Sequence, residues 1–213
     1  EAFDMRIEAN KWLGIIGANG SGKSTFLKTL LGVIPMLSGT VSIFSKLPGN
    51  CNQLISYIPQ EREINAFEKT SGLTLIKSSY LGRRWGLPCY TKNMHKEVMR
   101  LIDLVGANDY CKQPFETLSG GQKKRIYLAQ ALVNSPELML LDEPLADLDP
   151  EAKQHFIQAL KAIHNDRKMT LLIISHDMHE IAHDLDGFIH FKNKSVHLCE
   201  DLPCAKEAVY VGV

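Results

Sequence analysis

Gly17-Ala18-Asn19-Gly20-Ser21-Gly22-Lys23-Ser24 is the stretch on which the reading of this chain turns. It satisfies G-x-x-x-x-G-K-[ST]. Glycines let a backbone curl until successive N–H groups converge on phosphate oxygens, and the positive end of the helix that follows points at them. In that layout Lys23 reaches the β- and γ-phosphates and the Ser24 hydroxyl ligates Mg²⁺, so the candidate nucleotide-binding segment runs from Gly17 through Thr25. The flanks supply the context such a loop needs. Trp12 to Ile16 reads as a buried strand stopped by Gly17, and Ser24 to Leu31 as a helix stopped by Gly32, with Pro35 beyond.

Two further stretches carry chemistry. In Leu138-Met139-Leu140-Leu141-Asp142-Glu143-Pro144 an apolar strand ends in two acids, which puts carboxylates at the carboxyl end of a sheet, where α/β folds bind ligands. Asp142 is expected to hold the Mg²⁺ shell, and Glu143 to orient and polarise an attacking water as general base. Leu118-Ser119-Gly120-Gly121-Gln122 precedes a helix carrying Ile126, Ala129, Leu132 and Val133. Ser119 can cap that helix, and the two glycines leave its N-terminus bare for a second anion.

Around these motifs, short apolar runs alternate with longer amphipathic stretches, the pattern of an α/β fold with a mostly parallel sheet. Thr40 to Phe44 and Leu54 to Ile58 are strand-like, and so is Thr170 to Ile174. Residues 61–135 change character and read as helical. Val98, Leu101, Ile102 and Val105 fall at i, i+3, i+4 and i+7 with Gly106 as the stop. Asp149 and Pro150 open another helix as N-cap and first residue.

Composition bounds the function. The chain has 213 residues with 45% hydrophobic and 23% charged, an ordinary globular mix, so disorder and fibrous arrays are excluded. Its 24 basic and 24 acidic residues cancel, so it carries no general basic coat for nucleic acid. No apolar run approaches the roughly 20 residues of a membrane-spanning helix, and no secretory leader opens the chain. Five cysteines, Cys51, Cys89, Cys111, Cys199 and Cys204, form no Cys-x-x-Cys pair and read as reduced thiols of an intracellular protein. The run Lys123-Lys124-Arg125 reads as a solvated helix face.

The three motifs, in this order, resemble the ATP-binding subunit of an ABC transporter, over nearly the whole chain. The resemblance implies a P-loop NTPase (RecA-like) core, residues 1–60 and 136–213, with a helical subdomain, residues 61–135, in one domain spanning 1–213. It implies ATP as substrate, Mg²⁺ as cofactor, and Leu118 to Gln122 as the family signature. Gln60 falls where the family has its Mg²⁺- and water-sensing glutamine. Asp149 matches the acid of the D-loop, and His176 is similar to the switch histidine at the γ-phosphate. Two subunits of this family pair head to tail. Ser119, Gly120, Gly121 and Gln122 would then serve a nucleotide held by the partner's phosphate loop. Separate transmembrane permease subunits and a solute-binding protein are implied, with the ATPase peripheral on the cytoplasmic face of the membrane. The permease groove is expected near Glu61 to Tyr90.

Some positions depart from the family pattern. Only 16 residues precede Gly17, and neither Phe3 nor Trp12 falls where the family stacks adenine. The expectation is that this strand lies upstream of Glu1, and that Trp12 is core. Asp147 stands where the D-loop more often has a small residue. His179 and His183, read as i and i+4 of a helix, have a usable zinc spacing, but no third clustered ligand accompanies them. Ser79-Tyr80-Leu81-Gly82-Arg83 and His197-Leu198-Cys199 are similar to segments of metal importers, which favours zinc or manganese as cargo over siderophore, cobalamin or drug. Soluble ABC ATPases of DNA repair or translation share the motifs. They are distinguished by coiled-coil insertions, zinc modules or tandem nucleotide domains, none of which appears here.

Overall fold

The computed structural model describes residues 4–60, 70–81, 91–176, 178–192 and 195–199. Phe3, Cys89, Asp177, Cys204, the Gly82-Arg83 end of the importer-like segment, and residues 61–69 and 82–90 of the expected permease groove lie outside them.

Strand β1 (Trp12–Gly17) runs directly into the phosphate loop and α1 (Lys23–Leu30). Every residue from Trp12 to Ile16 is buried, as a strand covered on both faces requires. Strands β2 (Ile55–Ile58), β3 (Leu138–Asp142), β4 (Thr170–Ile174), β5 (Gly187–Lys192) and β6 (Ser195–Cys199) complete one sheet in the order β2-β3-β4-β1-β5-β6. All neighbours pair parallel except β5 and β6. In register, Leu13 faces Leu172 on one side and Gly187 on the other, and Asp142 faces Ile174. The core beneath gathers Leu13, Ile15, Leu27, Leu140, Leu172, Ile174 and Ile189. Burying such a side chain contributes about 1.5–3 kcal/mol. Trp12 is 1% exposed, the core position expected of it.

The chain divides into two units. One comprises residues 1–60, 137–146 and 168–213, and the other residues 61–136 and 147–167. The second is helical: α2 (Gly72–Leu81), α3 (Lys92–Leu104), α4 (Gly120–Leu132) and α5 (Pro150–Arg167). Thr91 caps α3 by accepting from the Met94 N–H at 3.3 Å, and the face carrying Val98, Leu101 and Ile102 is buried. Asp149 caps α5, accepting from the Ala152 N–H at 2.9 Å. Arg100 pairs with Asp166, and Arg167 with Glu97, which ties α3 to α5.

Three local readings are corrected. Thr40 to Phe44 is not a strand. Phe44 (φ 51°) and Ser45 (φ 62°) both take left-handed backbone, closing a two-residue reversal with Ile43 and Lys46 bonded to each other at 2.8 and 3.0 Å. His179 and His183 do not share an α-helical face. They sit in separate 3₁₀ turns, Met178–Glu180 and Ala182–Asp184, so the i, i+4 spacing loses its meaning. The basic run is not simply solvated. The Lys123 ammonium lies 5.7 Å from the centroid of the Phe115 ring, and Arg125 stacks on Tyr110 at 5.2 Å while donating to the Gly106 carbonyl at 3.1 Å.

Candidate functional site

β2, β3, β4 and β1 are parallel neighbours, so their carboxyl ends lie along one edge of the sheet. Gln60 follows β2, Asp142 and Glu143 end β3, His176 follows β4, and the phosphate loop follows β1. A cavity of about 250 Å³ lies there, lined by Asn19, Gly20, Gly22, Lys23, Ser24, Thr25, Gln60, Asp142, Glu143, Ile174 and His176. That is just under the smallest ordinary small-molecule pocket, about 300 Å³. It suits the polar end of a ligand rather than a whole nucleotide.

The loop is built as its sequence requires. Gly22 sits at φ 102°, a conformation closed to ordinary side chains, and it caps α1 without a side-chain acceptor. The first N–H groups of α1 are therefore free of any capping side chain and available to an anion. Lys23 folds back on its own loop, Nζ donating to the Gly17 carbonyl at 2.7 Å and the Ala18 carbonyl at 3.0 Å. Burial lowers its ammonium below the ordinary lysine range, while the charges of Glu143 and Asp142 pull the other way.

The two acids are fixed differently. Asp142 is buried, and its Oδ1 accepts from Ser24 Oγ at 3.3 Å while its Oδ2 accepts from the Tyr57 hydroxyl at 3.3 Å. Glu143 takes left-handed backbone (φ 50°), and its N–H donates to the Ile174 carbonyl at 2.9 Å. That turn carries its carboxylate to the end of β4. There the His176 N–H donates to Oε2 at 3.0 Å, and His176 Nε2 lies 3.3 Å from Oε1. Glu143 is 9% exposed at its side chain and His176 64%, so the acid is walled in and the imidazole stands at the mouth.

The Ser24 hydroxyl, the Asp142 carboxylate and the Gln60 amide carbonyl each offer an oxygen, the donor type that hard divalent cations select. Among the described residues no group of three or more His, Cys, Asp or Glu gathers. This suits Mg²⁺ with nucleotide, which takes one or two protein oxygens and completes its shell from phosphates and water. Tyr57 is the residue that sequence reasoning missed. Burial pushes its phenol up to about 12, with the charge of Asp142 and the hydrogen bond to it acting the same way.

The signature segment lies in the helical unit. Ser119 and Gln122 form a reciprocal capping box, the Gln122 N–H donating to Ser119 Oγ at 3.3 Å and the Ser119 N–H to Gln122 Oε1 at 2.9 Å. Helix geometry gives the N–H groups of Gly120 and Gly121 no intrahelical acceptor. At Gly121 the glycine is a packing requirement, because a Cβ there would stand 2.7 Å from the Ala152 Cβ of α5.

The model of the ABC transporter family matches residues 1–146. The chain belongs to that family. It is an ABC ATPase of the class coupled to transport, and its family implies nucleotide binding. It is 35% identical over 177 residues to the manganese transport system ATP-binding protein MntB of Bacillus subtilis, covering 83% of this chain and 70% of that one. It is 33% identical over 181 residues to the zinc uptake system ATP-binding protein ZurA of Listeria innocua, covering 84% and 70%. Among solved structures, CbiO1 of Clostridium perfringens, part of the transporter complex CbiONQ, superposes with a TM-score of 0.85 at 23% identity over 99% of this chain and 85% of that one. A nucleotide-free ATP-binding cassette of an ABC transporter gives 0.79 at 18% over 96% and 86%. These likenesses bear out the P-loop NTPase fold, with its mostly parallel sheet. Among the described residues of this ABC ATPase no helix is long and apolar enough to cross a membrane.

Proposed function

We propose that this ABC ATPase hydrolyses ATP to energise import of a divalent metal ion, manganese or zinc, through separate permease subunits. One observation carries the chemistry: Lys23, Ser24, Gln60, Asp142, Glu143 and His176 line a single cavity at one edge of the sheet. The cargo assignment is supported by the relatives that act in manganese and zinc systems.

In this reading the loop N–H groups from Gly17 to Thr25 hold the phosphates, and Lys23 exchanges the Gly17 and Ala18 carbonyls for phosphate oxygens. Ser24, Asp142 and Gln60 would hold Mg²⁺, which when bound would neutralise charge on the phosphoryl group. Glu143 accepts the proton of the attacking water, its buried carboxylate aimed by the two His176 contacts. His176, standing at the mouth, reaches the γ-phosphate. In a head-to-tail pair of subunits, Ser119 and the bare Gly120 and Gly121 N–H groups meet the partner's nucleotide, and Asp149 lines the shared interface. We assign residues 1–60 and 136–213 to the core and residues 61–135 to a helical subdomain, counting α5 with the core because it connects the parallel strands β3 and β4, although residues 147–167 cluster with the helices of the second unit. Docking on a permease would hold the chain at the cytoplasmic face of the membrane, with a solute-binding protein delivering the cargo outside.

The test is to co-express this chain with its candidate permease, purify the complex into liposomes, and follow ATP-driven uptake of Mn²⁺, Zn²⁺, a siderophore and cobalamin. Uptake of Mn²⁺ or Zn²⁺ alone is expected. Uptake of a chelate instead would overturn the cargo, and absence of ATP hydrolysis would overturn the site.

A further inference from the structure

Tyr57 stands outside the set of residues lining the cavity, yet its hydroxyl donates to Asp142 Oδ2 at 3.3 Å. The register explains the reach. Tyr57 on β2 lies opposite Leu140 on β3, and Leu140 and Asp142 share one face of that strand. A diagonal neighbour two residues on is within range of an aromatic side chain. The other oxygen of the same carboxylate, Oδ1, faces Ser24 Oγ at 3.3 Å.

We propose that Tyr57 is a positioning residue that fixes the rotation of the Asp142 carboxylate, so that Oδ1 and the Ser24 hydroxyl present a paired oxygen edge to the divalent ion accompanying ATP. A carboxylate held at one oxygen only can turn about its terminal torsion, which is broad. Held at Oδ2 from the neighbouring strand, it cannot turn without losing a charge-assisted hydrogen bond. The phenol is a group behind the ion-holding oxygens, the kind of support that sets ligand orientation in metal sites. Tyr57 also stands three residues before Gln60 on the same short segment, so one piece of chain supplies both the cavity glutamine and the partner that orients the acid. This inference rests on the reading of Asp142 as an ion-holding residue.

The experiment compares the wild-type chain with Tyr57→Phe, which removes the hydroxyl and keeps the ring. Trinitrophenyl-ATP fluorescence is titrated with MgCl₂, and nucleotide affinity is measured separately in EDTA. The half-saturating Mg²⁺ concentration is expected to rise roughly 10-fold in Tyr57→Phe, the lower end of what losing a partner behind a metal-holding group costs. Affinity in EDTA stays unchanged. In an Asp142→Asn background, Tyr57→Phe should shift the Mg²⁺ requirement by less than about 2-fold, because the group it orients has already been altered. An unchanged Mg²⁺ requirement in Tyr57→Phe, or an equal loss of affinity in EDTA, overturns the positioning role. Absence of any Mg²⁺-dependent binding in the wild type instead overturns the underlying assignment of Asp142.

Discussion

Glu143 and His176 are joined twice: the His176 backbone N–H donates to one carboxylate oxygen at 3.0 Å, and the imidazole Nε2 lies 3.3 Å from the other. The acid reaches this position only because its own backbone is left-handed, a conformation that costs a non-glycine residue of order 1 kcal/mol or more. Strain of that kind persists where surrounding contacts over-determine it. Here the Ile174 carbonyl and both His176 contacts do so.

Glu143→Gln tests the role of that carboxylate. The amide keeps an oxygen to accept from the His176 N–H, so the turn survives, but it cannot take a proton from water. Phosphate release measured at saturating MgATP should fall about 10²- to 10⁴-fold, the usual worth of a general base. ATP binding should persist, and size-exclusion chromatography with ATP should show an accumulated closed dimer. Turnover at the wild-type rate would remove Glu143 from the chemistry.

Gly121→Ala tests whether the signature glycine is needed for packing. The added methyl would meet the Ala152 Cβ at 2.7 Å, and such overpacking costs about 1–3 kcal/mol. The denaturation midpoint should drop accordingly. Adding Ala152→Gly makes room again and should recover part of the loss, less the roughly 0.5–1 kcal/mol that glycine costs inside α5. If Gly121→Ala unfolds with the wild-type midpoint, the contact carries no such constraint.

The stability of the folded chain is expected to depend on pH through His190. Burial lowers the His190 imidazole below 6.5, and the neighbouring Lys192 and His197 charges push the same way. His197 stands directly across the β5–β6 ladder. Unfolded chain then binds more protons than folded chain at every pH between the folded value and 6.5. Folded stability must therefore fall as pH drops through that window and level off below it. His190→Gln removes this contribution. Thermal melts from pH 7.5 to 5 should show a shallower decline in the variant than in the wild type, and parallel curves would refute the assignment.

The elements were legible where a local pattern has a single outcome. Trp12 to Ile16 is an unbroken run without a polar side chain and Gly17 stops it, and Asp149-Pro150 pairs a preferred N-cap with a preferred first helical residue, so both emerged as read. Lys23, Ser24, Asp142 and Glu143 were found from their motifs, Gln60 and His176 from the family resemblance, and all six line one cavity. Thr40 to Phe44 misled because β-branched and aromatic residues suit a strand, while the left-handed pair Phe44-Ser45 is a choice made by the turn itself. Tyr57 was invisible for a different reason: its partner is set by β2 lying beside β3, and no local pattern states which strands become neighbours. Lys123 and Arg125 read as solvent-facing charges because Phe115, Tyr110 and the Gly106 carbonyl that receive them lie elsewhere in the chain.

The pairing of Trp12 with Leu171 has a consequence for how this chain comes into being. β1 leaves the ribosome well before the strands on either side of it, β4 and β5, which come more than 150 residues later. Until they arrive, the glycine loop has no sheet to stand on, and the four cavity-bearing strand ends cannot assemble piecemeal. Such distant pairing slows folding and exposes apolar strands meanwhile. Competence to bind nucleotide should therefore appear late and all at once during synthesis, as a report that the whole sheet has closed.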